Sequence, residues 1–467
     1  MRNIFQPVVG FVSDLPLYRW GSASYLHSVI GSLEHLRPGS ILMQWAEPIA
    51  ALLISILFAL SPFVSTTLIG VLLLACGGYW MLISLCDDSQ SGFTPIHLLV
   101  LLYWGIATVA TAMSPVKKAA FVGWTKLTLY LLLFALMAKV LRDRRWRSRL
   151  ITLYLHIATL VSIEGLRQWR YGADALATWT DPESTLAKVT RVYSYLGNPN
   201  LLAGYLLPAV ALSIAAIFAW RALMPKALAI TMTVVNSLCL ILTFSRGGWI
   251  GFVVTGCALT LMLGYWWSVK LPQRWRKWAM PVVLGAIASA MILAVMFVEP
   301  VRMRVASIFA GREDSSNNFR MNVWAAVLDM IRDRPIIGIG PGNAAFNKIY
   351  PLYMRPKYTA LSAYSIVLET AVETGLIGLA AFAWLVLLCI YQGLTQLKRL
   401  RDENRGEGYW LIAAIAIVCG MMAHGAVDTV WYRPQVNTLW WLAVALIASY
   451  YTPPPGHSHQ DQYGMSD

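Results

Sequence analysis

The sequence predicts an all-α, polytopic membrane protein of about twelve transmembrane helices, with a long outer loop between helices 9 and 10. Three observations carry that prediction. First, 58% of the 467 residues are hydrophobic, only 13% are charged, and mean hydropathy is +0.58; soluble domains carry about 25% charged residues. Second, apolar runs recur that are long enough for a bilayer core of about 30 Å, which takes about 20 helical residues. Third, one mostly polar stretch, 299–364, interrupts these runs. It is far longer than the few residues that usually connect helices, so a functional role is expected of it.

The runs lie at about 45–63, 66–86, 95–113, 119–140, 150–169, 197–219, 226–244, 247–267, 279–298, 365–391, 409–429 and 435–452. Only 61–67 separates the first two, so one span or two remain open over 45–86. The organisation is a cytoplasmic segment 1–44, helices 1–9 over 45–298, the outer loop 299–364, helices 10–12 over 365–452, and a polar, proline-containing tail 453–467 expected to be disordered. Residues 1–40 mix charged and apolar residues and do not resemble a cleavable signal.

Charge sets the orientation. Basic clusters at Arg142–Arg149, Lys270–Lys277 and Lys398–Arg405 follow spans 4, 8 and 10. Equal parity places them on one side, and an excess of Lys and Arg marks the cytoplasm. The loop 170–196, the turn Ser245–Gly248 and the segment 299–364 then face outward. The net charge of +14 is accounted for by these clusters between spans, so nucleic acid is not an expected partner, whereas membrane lipids are. The six cysteines sit in or beside apolar runs with no metal-type spacing and read as small buried apolar residues. No phosphate loop, dinucleotide fingerprint or metal constellation is present, so neither a cofactor nor a metal is expected.

Several residues stand out chemically. Arg246, in T-F-S-R-G-G-W, lies where a charge is costly unless paired or hydrated, and its planar fork suits phosphate or carboxylate. Arg191 precedes G-N-P-N, in which Asn198 and Asn200 flank a proline that opens the next helix. Arg320 lies on an amphipathic helix that starts at Asp314, ends before Pro335 and repeats Phe319, Val323, Ala326, Val327, Met330 and Ile331 on one face; that helix is expected to lie on the outer membrane face. Glu369 and Glu373 are four apart on one face, as are His424 and Asp428, and Glu164 is a further ionisable group within a span. The run E-T-G-L-I-G at 373–378 reads as a small-residue packing stripe.

In order and placement, G-N-P-N-L-L-A (197–203), S-R-G-G-W (245–249), R-P-I-I-G-I-G-P-G-N (334–343) and E-T-G-L-I-G (373–378) resemble the O-antigen ligase and polymerase superfamily. Within it the chain is most similar to the cyanobacterial IctB group, described as bicarbonate transporters linked to inorganic-carbon accumulation. The resemblance implies an outward-facing anion site in the bacterial inner (plasma) membrane, with Arg191 and Arg246 matching arginines that hold a polyprenyl pyrophosphate in the ligases. The ligases carry a histidine where this chain has Tyr364, and a phenol with a pKa near 10 is a poor base at neutral pH. The expected ligand is therefore bicarbonate, in a protein that is not an enzyme, with a lipid-linked pyrophosphate glycan and glycosyl transfer as the alternative. An accessory subunit is a third reading.

Overall fold

The computed structural model describes residues 44–85, 93–173, 191–270, 272–276, 278–309, 311–403 and 408–452. Nearly all of the N-terminal segment 1–44, most of the loop 170–196, parts of the basic clusters at 270–277 and 398–405, and the tail 453–467 lie outside the described residues.

The chain forms helices α1 (Ala46–Leu60), α2 (Thr66–Leu85), α3 (Pro95–Ala112), α4 (Lys117–Val140), α5 (Arg144–Tyr171), α6 (Pro199–Ala219), α7 (Leu223–Leu242) and α8 (Arg246–Trp267). There follow α9 (Ala279–Phe297), α10 (Glu299–Phe309), α11 (Ser315–Asp333), α12 (Asn343–Ile349), α13 (Ile366–Asp402), α14 (Gly408–Val427) and α15 (Pro434–Ser449). No strand occurs among the described residues. Among them, nine helices are long and apolar enough to cross a membrane: α2 to α8, α13 and α14. This is a multi-pass, all-helical membrane protein. The apolar runs expected at both ends of the chain and before the polar stretch are also helical, but α1 and α15 have 15 and 16 residues and the apolar part of α9 is Pro281–Phe297. A count of twelve spans rests on those three shorter helices.

The centre of the bundle is α6, α14 and α15. Nearly every residue of α6 from Leu201 to Ser213 is buried, as is α14 from Leu411 to Val418. A helix that is apolar all round belongs inside. Glycine lets the helices approach closely: Gly251 of α8 faces the Gly420 carbonyl of α14, where a Cβ would crowd it.

The segment between α9 and α13 holds three helices and its own small core. Val323, Ala326, Val327 and Met330 of α11 pack with Phe346, Tyr350 and Val372. The apolar face of α11 is thus covered by protein, in contrast to the expectation of a helix lying on lipid. Because α12 and the start of α13 fold back over it, that face is already buried.

A second departure concerns 373–378. Helix α13 is broken at Gly375, which has φ 71° and ψ −177°. The break frees carbonyls that normally bond within the helix, and the segment 335–340 takes them up. Ile339 N–H donates to Val372 O and Gly340 N–H to Glu373 O, both at 2.9 Å, while Leu376 N–H donates to Pro335 O at 2.7 Å. A Cβ at Gly375 would collide with the Ile336 carbonyl. The motif is therefore a docking point between G-I-G-P-G and a broken helix, and only glycine fits it.

These contacts gather one set of turns at one end of the bundle. Ser114 Oγ donates to Ile339 O at 2.6 Å, tying the α3–α4 turn to the same segment. At the opposite end Arg399 Nη2 donates to Tyr450 O at 3.3 Å, and Arg401 Nη1 to Tyr265 O at 3.2 Å.

Candidate functional site

Arg246 is the first residue of α8. Ser245 caps that helix, its Oγ accepting from Gly248 N–H at 3.1 Å. Phe244, just before, adopts φ 49°, a conformation uncommon for a bulky residue. Gly247 faces the His424 ring and Gly248 the Ala203 methyl, with no room for a Cβ at either. Tight packing of α8 on α14 and α6 thus fixes where the guanidinium emerges. Arg246 is only 6% exposed, and its Nη1 lies 2.9 Å from Asp314 Oδ1. The same carboxylate oxygen caps α11 by accepting from Asn317 N–H at 2.8 Å.

Arg320, one turn into α11, places Nη2 3.2 Å from Asp428 Oδ2, immediately after α14. Arg191 donates through Nε to Thr243 O at 3.1 Å and through Nη2 to Asn200 Oδ1 at 3.2 Å. Asn198 caps α6, accepting from Asn200 N–H at 2.8 Å. Burial first, then the charges of Arg246 and Arg320, push the Arg191 guanidinium down to about 10, with Asp428 opposing. Three guanidinium groups therefore feel one another's fields.

Tyr364 has φ 51°, and its ring meets Phe319 edge-on with centroids 5.5 Å apart. Burial first, then the charge of Asp428, pushes its phenol up to about 12, with Arg320 opposing. It keeps its proton at neutral pH and can donate a hydrogen bond. Ser194, after Arg191, is also at positive φ. All four non-glycine residues with positive φ among the described residues, Ser194, Phe244, Lys357 and Tyr364, thus lie at this end, where strain commonly accompanies function.

His424 is buried with both ring nitrogens lacking a hydrogen-bond partner among the described residues. Its backbone carbonyl accepts from Asp428 N–H at 3.2 Å, so its helix end positions the partner of Arg320. Glu164 is elsewhere, paired with Arg167 at 2.7 Å on an exposed face, and takes no part.

Two cavities open at this end. The first, about 230 Å³, has Arg246, Arg320 and Asn317 on its polar side and Ile250, Met321 and Trp324 among its walls. The second, about 140 Å³, is lined by residues of α3, α4, α13 and α15, including Glu369, Glu373, Trp431, Asn437 and Trp440. Glu373 Oε1 accepts from Gly342 N–H at 2.7 Å.

Asp314, Asn317, Thr429, Trp431, Asn437 and Trp440 did not stand out in the sequence. Asp314 reads there as a helix cap, and the tryptophans read as apolar span residues. No spacing links them to an arginine more than 60 positions away.

Residues 227–383 match the family model described as O-Antigen ligase. The match supports kinship with the O-antigen ligase-like superfamily. It contains Arg246, Arg320, Tyr364, Glu369 and Glu373, and leaves Arg191, His424 and Asp428 outside. No curated protein matches the chain. Fold and match together describe a multi-pass membrane protein in which residues 227–383 are similar to O-antigen ligases. Neither lends support to bicarbonate as ligand or to the IctB group in particular.

Proposed function

We propose that this protein binds a polyprenyl-pyrophosphate-linked glycan at the three-arginine site and transfers the glycan to an acceptor. One observation carries the reading: the first cavity is amphiphilic, with two guanidiniums and an amide facing apolar side chains. A lipid pyrophosphate has that division, two charged phosphates joined to a long apolar chain. Guanidinium forks suit phosphate oxygens, and Arg191 behind them adds positive field. A bicarbonate ion would leave the apolar wall uncovered, and the family match favours the glycan reading over bicarbonate.

In this reading the site faces outward in a bacterial inner (plasma) membrane. The chain crosses about twelve times, and 299–364 forms the outer loop. Asp314 and Asp428 hold Arg246 and Arg320 in place until phosphate oxygens compete for them. Tyr364 donates a hydrogen bond to a phosphate oxygen or to the leaving group.

Binding of a polyprenyl-pyrophosphate-linked oligosaccharide to the purified protein in nanodiscs tests this. Saturable binding is expected, displaced by polyprenyl pyrophosphate and weakened at least tenfold by Arg246→Gln. Uptake of labelled bicarbonate into liposomes that depends on Arg246, with no binding of the lipid, would overturn the reading. A single cysteine at the exposed Leu352 should react with an impermeant thiol reagent from the outer side, and one at Arg274 only from the cytoplasmic side. The reverse pattern would put the site on the wrong face for this role.

A further inference from the structure

We propose that the second cavity binds the headgroup of an aminophospholipid, a phosphoethanolamine zwitterion, from the surrounding bilayer. This binding is independent of the transfer reading above. The cavity lining carries both signs of charge: Lys126 on α4, and Glu369 and Glu373 on α13. Glu369 is held by the Thr429 hydroxyl and the Ala363 N–H, and Glu373 by the Gly342 N–H at 2.7 Å. All three donors are neutral, and among the described residues neither carboxyl has an ion-pair partner. Carboxyls within a span call for a cation. Asn437 Oδ1, on the same lining, has no hydrogen-bond partner among the described residues, so three acceptors are present for the three N–H bonds of a primary ammonium. The rings of Tyr103, Phe382 and Trp441 line the space as well, and aromatic faces attract a cation.

Lys126 points to where the ligand comes from. It lies nine residues after Lys117, the start of α4, so it is about 14 Å along the helix at 1.5 Å per residue. It is exposed, and Val122, one turn away, is exposed too, so this edge of the cavity opens to lipid. An ammonium at that depth is costly unless it meets an anion, and no ion pair holds Lys126 among the described residues. Side chains on a helix lean toward its N-terminus, here toward the leaflet on the arginine side, where lipid phosphates lie. The buried indole N–H groups of Trp431 and Trp440 also lack partners among the described residues and can donate to phosphate oxygens.

A zwitterion answers both halves of the lining. A purely anionic lipid would meet the two glutamates, and a free amine would leave Lys126 and the indoles without acceptors. Choline carries the same charges as ethanolamine but has no N–H for the carboxyls and the amide. Size agrees: at about 10–15 Å³ per water, 140 Å³ holds roughly ten waters, and a phosphoethanolamine group has about eight heavy atoms.

Native mass spectrometry of the full chain, stripped of lipid in detergent and then titrated with phosphatidylethanolamine, phosphatidylcholine or phosphatidylglycerol, tests the site. One ethanolamine lipid should be retained at least tenfold better than either of the others. Lys126→Gln, a change at an exposed position, should cut that retention at least fivefold. Glu373→Gln, which keeps an acceptor for Gly342, should do the same. Arg246→Gln, in the other cavity, should leave it at the parental level. Equal retention of the choline lipid would overturn the ammonium assignment, and preference for phosphatidylglycerol would overturn the zwitterion. Retention lost with Arg246→Gln but not with Lys126→Gln would place the lipid in the first cavity and overturn the proposal. Should Glu373→Gln fail to fold, Lys126→Gln decides alone, and unchanged retention in that variant overturns the site.

Discussion

Arginines at the two ends of this bundle have opposite surroundings. At one end Arg246 and Arg320 border a cavity while paired with Asp314 and Asp428, and Arg191 is lodged among neutral acceptors within their field. At the other, Arg401 lies 3.8 Å above the Tyr265 ring and donates to its carbonyl, and Arg147 lies 4.2 Å above the Tyr450 ring. Those guanidiniums are used up in closing helix ends, with a cation–π contact of about 0.5–2 kcal/mol each. In the first set, Arg246 and Arg320 are held by carboxylates and also border a cavity, where a ligand's phosphate oxygens can compete for them. The same residue type thus anchors one end of the protein and equips the other, and what distinguishes Arg246 and Arg320 is that they border a cavity.

The largest expected effect contrasts the ends directly. Arg246→Gln should weaken binding of the lipid pyrophosphate about a hundredfold, because charge-assisted bonds to phosphate contribute about 1.5–3 kcal/mol each. Arg401→Gln should leave it within about twofold on the scale of a surface contact. Equal losses in a nanodisc binding assay would dissolve the distinction.

The end with the cavities also depends on the broken helix. Gly375→Ala meets both a positive φ and the Ile336 carbonyl, and should lower stability by about 3 kcal/mol, in the range for strain combined with overpacking. Thermal melting in detergent reads this. An unchanged midpoint would mean that 335–340 is not docked as described.

A pH series sharpens the comparison further. With its pKa pushed down to about 10, Arg191 sheds its proton as pH rises through that value, and ligand affinity should fall there. The sign for folding is opposite. The folded state gives up this proton before the unfolded state does, so the Arg191 contribution to stability rises with pH over the same range. Arg191→Gln should abolish both trends. Affinity that stays flat from pH 8 to 10.5 in the parent would remove Arg191 from the site.

Smallest is the effect of Tyr364→Phe. A phenol pushed up to about 12 holds its proton throughout the neutral range, so loss of one neutral hydrogen bond should change transfer by about threefold to tenfold, near 1 kcal/mol. The rate–pH profile between 6 and 9 should keep its shape. Loss of a titration from that profile would make Tyr364 a proton carrier after all.

Sequence by itself determined that the chain is helical and membrane-embedded, since apolar runs of bilayer length impose helix wherever backbone groups must bond internally. It also marked Arg191, Arg246, Arg320, Glu369, Glu373, His424 and Asp428, because ionisable groups at or within spans are costly and conspicuous. It could not assign their partners. Asp314 meets Arg246 and Asp428 meets Arg320 across gaps of 68 and 108 positions, and no periodicity encodes such contacts. Nor did E-T-G-L-I-G reveal whether its glycines pack helices or break one. Only the tertiary structure decided that, because the break at Gly375 is maintained by hydrogen bonds from 335–340, a segment with no local tie to it. That Arg246 and Arg320 border one cavity and Glu369 and Glu373 another was likewise decided in three dimensions. Cost marks a residue in the sequence, but the space beside it exists only once the helices have packed.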